Sequence, residues 1–81
     1  MRTMTNDEAN KQCECSGCDM TGQILVGGYY DPVLCVEDTI EECVATINRI
    51  SQEDPITADN IDDGDNQRGF DSKTLYAWKI V

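Results

Sequence analysis

Three cysteines fall within six residues, Cys13-Glu14-Cys15-Ser16-Gly17-Cys18, and two more follow at Cys35 and Cys43. A tight Cys-x-x-Cys turn containing a glycine lets backbone amides point toward two thiolates that share one metal ion, which is the pattern of a zinc knuckle. Zinc in a closed structural site takes four ligands, so Cys13, Cys15 and Cys18 need a fourth. Cys35 is the expected fourth ligand, because a hairpin folding back over the knuckle returns the end of its second strand to the hairpin's start. Cys43 is the alternative fourth ligand, although it also falls on the apolar face of a helix, where cysteine serves as a small hydrophobe. The expected cofactor is therefore Zn2+. Iron ranks below it, since neither common ferredoxin spacing fits these cysteines. A redox dithiol at Cys15 and Cys18 is a minor alternative: that motif normally opens a helix after a strand, whereas here the pair precedes a hairpin and Cys13 crowds it.

The elements that must position these thiols can be read along the chain. Thr5-Asn6-Asp7-Glu8 has the form of a capping box, so a short helix is expected over 6–12, ending against the cysteines. Short β-prone runs at 23–26 and 33–36 flank Gly27-Gly28-Tyr29-Tyr30-Asp31-Pro32, which suits a hairpin turn. Ile40, Cys43, Val44, Ile47 and Ile50 or Ser51 recur at three- and four-residue spacing, which predicts a helix over 38–51. Either Asp38 with Glu41 or Thr39 with Glu42 can cap its start. Residues 53–72 are rich in Asp, Asn and Gly and read as a long acidic loop, pinned to the core by Ile56, Ile61 and Phe70. Leu75, Tyr76, Trp78, Ile80 and Val81 predict a terminal strand over 74–81, with Trp78 closing the core.

The expected fold class is α+β, in one domain of 81 residues. In it an N-terminal zinc knuckle and β-hairpin pack on one amphipathic helix, and the terminal strand completes a three-stranded sheet. A chain of this length yields a small core, so a staple such as a metal is expected. Over residues 13–51 the order of knuckle, hairpin and helix resembles a treble-clef zinc finger in outline. The second ligand pair that this architecture places near the helix start is missing, so Cys13 stands in for one member. The likeness implies a metal-stapled architecture and no particular activity.

With 16 acidic residues, 6 basic ones and no histidine, the formal charge is -10. Such a chain repels phosphate backbones and anionic membrane surfaces, and its longest apolar run, Ile24 to Val26, is far from the roughly 20 residues of a spanning helix. Neither nucleic-acid nor membrane binding is expected. The polar start, Met1-Arg2-Thr3-Met4, lacks the apolar segment of a secretory signal, which predicts an intracellular, cytoplasmic protein with reduced thiols. Catalysis is not expected, because the serines have no evident base, no phosphate-binding glycine loop is present, and zinc held by four thiolates has no open position.

A calcium loop starting at Asp59 would place Gly64 correctly at the sixth position, but Ile61 and Phe70 fall at the third and twelfth, where oxygen ligands belong. A solvated acidic surface formed by Asp59, Asp62, Asp63 and Asp65 is expected instead, facing a protein partner with a basic surface. Tyr29 and Tyr30, in a turn that cannot bury both, supply an aromatic contact. The sequence thus predicts a small, acidic, zinc-stabilised protein-binding module, acting as an accessory or inhibitory protein. Small acidic phage-encoded inhibitors resemble it in size and charge. The alternative is a structural subunit of a virion or other large assembly.

Overall fold

The computed structural model describes residues 1–51, 55–64 and 74–81. Asp65, Phe70 and Asp71, with half of the expected acidic loop, lie outside the described residues. Two helices form where local signals are strongest. In α1 (Asn6–Gln12) the Thr5 hydroxyl accepts the Glu8 amide, and Asp7 and Glu8 lie in the first turn, where negative charge complements the helix dipole. In α2 (Ile40–Ile50) Thr39, rather than Asp38, is the cap and accepts the Glu42 amide, while Arg49 sits in the last turn. Cys43 and Ile47 form the buried stripe of α2, and Ile50 is left 71% exposed.

Among the described residues the sheet is mixed and has five strands instead of the expected three. These are β1 (Arg2–Met4), β2 (Ile24–Gly27), β3 (Cys35–Glu37), β4 (Ile61–Asp62) and β5 (Leu75–Ile80). The expected hairpin is present, with Val26 opposite Cys35 and Ile24 opposite Glu37. On the other side of β2, β5 runs antiparallel, with Leu25 opposite Trp78. The far edge of β5 pairs in parallel with two short strands placed end to end, β4 beside Leu75 and Tyr76 and β1 beside Trp78 to Ile80. A 3-10 turn, Ala58–Asn60, leads into β4, so part of the stretch read as loop is ordered against β5.

Side chains alternate across the strands, so the sheet has two apolar faces and each helix covers one. Ile24, Val26, Cys35, Ile61 and Ala77 pack with Cys43 and Ile47 of α2. Met4, Leu25 and Ile80 pack with Ala9 of α1, and Cys13, Val36 and Trp78 join them at the margin. Ile56 and Ile61 hold the intervening segment to the α2 layer, as expected, and Asn48 of α2 fixes it by exchanging hydrogen bonds of 2.8 and 2.9 Å with the Ile56 backbone. The result is a small α+β fold of three layers, where one helix on one face had been expected. The second face acquires a cover because Ala9 presents a small side chain that lets α1 sit close on Leu25 and Ile80.

Candidate functional site

The cysteine loop begins where α1 ends. The Cys13 amide still donates to Ala9, and the chain then reverses through two left-handed residues, Glu14 at φ 56° and Gly17 at φ 77°. A glycine takes that conformation freely; Glu14 takes it at a steric cost that the surrounding hydrogen bonds must offset. Those bonds converge on Asn10, which is 9% exposed. Its backbone carbonyl accepts the Cys15 amide at 2.9 Å, its Oδ1 accepts the Cys18 amide at 2.9 Å, and its Nδ2 donates to the Cys18 carbonyl at 2.8 Å. Asn6, one turn earlier, donates to the same carbonyl at 2.9 Å and accepts the Met20 amide at 2.8 Å. The loop is thus clamped to one flank of α1 by two asparagines spaced four residues apart.

Cys15 and Cys18 are exposed, and their side chains lie within hydrogen-bonding reach of each other. That hydrogen bond, with the Cys18 charge beside it, raises the Cys15 thiol above the ordinary range. Cys13 differs: it is half-buried against the α1-side cluster, and burial is the main cause of its own upward shift. Cys35 and Cys43 lie elsewhere, both buried in the α2-side layer. Cys35 Sγ sits 3.7 Å from the Cys43 carbonyl and Cys43 Sγ sits 3.8 Å from the Ile24 carbonyl. The hydrogen bond to Cys35, reinforced by burial, pushes the Cys43 thiol far up, while the same bond holds Cys35 down.

The fold therefore does not bring the expected four thiols together. β3 does return to the hairpin's start, but the pleat turns Cys35 toward α2, on the face opposite the cysteine loop, and Cys43 is there too. Among the described residues no group of three or more Cys, Asp or Glu is arranged to hold a metal ion.

On the other flank of α1 a groove opens between the helix and the β2–β3 turn, with a volume of about 360 Å³. Met4, Glu8, Gln12, Tyr29, Pro32 and Trp78 line it. The turn reaches over the sheet because Gly27 lacks a side chain: a Cβ there would collide with the Pro32 backbone carbonyl. Tyr29 and Tyr30 stand at its mouth, 59% and 76% exposed, with their rings edge to face at a centroid distance of 5.0 Å. No protein-family model matches this chain, and neither a curated protein nor a solved structure does. Its chemistry must be argued from its own residues.

The remaining expected contacts divide between the layers. Arg2 and Asp62 are linked across the junction of β1 and β4, Arg2 donating at 2.8 Å to the Asp62 carbonyl and at 3.3 Å to its carboxylate. The Arg2 guanidinium also lies 4.9 Å over the buried Tyr76 ring, whose neighbour on the same face is Trp78. Asp62 is thus an internal ion-pair partner on the α1 side. Asp59 is exposed in the 3-10 turn, which contacts α2, and Asp63 is exposed just past β4. Sequence reasoning passed over Asn6, Asn10 and the groove. The four-residue asparagine spacing and the Gly27-Gly28 pair were the only signals for them. No helix among the described residues is long and apolar enough to cross a membrane.

Proposed function

We propose that this protein is an acidic protein-binding module whose groove between α1 and the β2–β3 turn receives a cationic side chain of a basic partner. The observation that carries this is the exposed Tyr29–Tyr30 pair at the mouth of a groove lined by Trp78 and Glu8. Two large aromatic rings left in water, beside an apolar recess, are the type of feature that supplies binding hot spots. An arginine or lysine entering there meets aromatic faces and a carboxylate, and among the described residues no lysine or arginine lines the groove. The net charge of -10 favours approach of a basic surface and repels acidic competitors. Zinc forms no part of this reading, because the side chains that carry it lie on the opposite flank of α1 from the cysteine loop.

A short arginine-rich peptide, titrated into the isotopically labelled protein, tests the idea by NMR. Shifts concentrated at the Trp78 indole, Tyr29, Tyr30 and Glu8, weakened by added salt and largely lost in Tyr29→Ala, are the expected result. Shifts spread evenly over the acidic surface, or an affinity that does not respond to salt, would sink it.

A further inference from the structure

Of the five thiols, only Cys15 and Cys18 are both exposed and side by side; Cys13 packs against the α1-side cluster, and Cys35 and Cys43 are buried on the far face. We propose that Cys15 and Cys18 form a reversible dithiol–disulfide couple that exchanges with low-molecular-weight disulfides such as oxidised glutathione. The pairing is built into the backbone. Asn10 holds the amides of both cysteines, through its carbonyl and its side chain, the chain reverses between them through the left-handed Gly17, and both side chains line the same depression. A disulfide demands that two Cα atoms be held close with their Cβ vectors converging, and few exposed loops meet that without rearranging. The hydrogen bonds to α1 hold this loop, and both thiols line a depression of about 370 Å³ that Asn10, Lys11 and Asp19 also line.

The exchange balances as follows. One of the two thiols gives its proton to solvent and attacks as a thiolate on one sulfur of the glutathione disulfide; that S–S bond breaks and one glutathione thiolate leaves. The other thiol then gives its proton to solvent and attacks the protein sulfur of the mixed disulfide, expelling the second glutathione thiolate. The protein loses two protons and two electrons, and the oxidant becomes two thiols. Reduction by excess glutathione runs the same steps backward.

The test equilibrates the full-length chain in mixtures of reduced and oxidised glutathione, blocks the remaining thiols by alkylation, and maps the products by mass spectrometry. The expected product is a single intramolecular Cys15–Cys18 disulfide, unchanged in Cys13→Ala. Cys15→Ser should stop at glutathione bound to Cys18, and Cys18→Ser at glutathione bound to Cys15. Circular dichroism of each variant separates a failed exchange from a failed fold. A dominant disulfide that includes Cys13, or exposed thiols that stay reduced throughout, would overturn the proposal. So would a purified chain that retains one zinc per molecule and resists the oxidant.

Discussion

Asn10 and Cys43 are both buried side chains in helices, yet they differ in how far the sequence disclosed them. Cys43 belongs to the stripe of Ile40, Val44 and Ile47, so its burial follows from helical periodicity. Asn10 belongs to no stripe; its role depends on where the chain goes eight residues later, at Cys18, which no local pattern encodes. The Cys43 thiol carries a pH dependence whose sign can be worked out. An unfolded cysteine ionises near 9.0, whereas in the fold Cys43 stays protonated well above that. Its contribution to stability is therefore complete below pH 9.0 and is lost as the pH climbs past it. Cys35, held low by accepting from Cys43, acts in the opposite sense: its contribution is present above the ordinary thiol range and fades as the pH falls. The Cys43 contribution therefore declines above pH 9.0. Urea unfolding between about pH 8 and pH 10.5 should show that decline in the parent chain, while Cys43→Ala, about 1–2 kcal/mol less stable at neutral pH, should lose much of the alkaline slope. An equal slope in both proteins would contradict the assignment.

Helices α1 and α2 and the β2–β3 hairpin were legible because each is specified locally, by a cap, a period or a turn. Strands β1 and β4 were not. They have three and two residues, and what makes them strands is the edge of β5, more than a dozen residues away along the chain. The position of Cys35 was not legible for a related reason: reading it near the knuckle took no account of which side of the pleat it faces, and strand parity turns it into the α2-side layer. The β2–β3 turn shows the same dependence on distant contacts, since Gly27-Gly28 announced a bend but not its direction. Gly27→Val is expected to force the turn off the sheet face, because the new side chain meets the Pro32 backbone rather than a flexible side-chain end. The resonances of the groove-lining Tyr29 and Trp78 should shift, and stability should fall by about 1–3 kcal/mol. A variant with parental stability and an intact groove would show that the turn has room that the structure does not reveal.

At the scale of the whole molecule, two apolar layers and one five-stranded sheet hold the fold, and the cysteine loop lies outside both layers apart from the half-buried Cys13. A strong chelator should therefore leave the reduced protein folded, with its circular dichroism spectrum unchanged. Unfolding on chelation would mean that a metal, and not the sheet, is the staple. The sheet has a further property that follows from its strand order. Its central member, β5, follows the other four strands along the chain, yet β1, β2 and β4 all pair with it. On the ribosome, the earlier segments can form helices and the β2–β3 hairpin but cannot close either apolar face until residues 75–80 have cleared the exit tunnel. Until then Leu25, Val26 and Met4 remain wettable, so the nascent chain depends on its acidic charge, or on a chaperone, to stay apart from its neighbours.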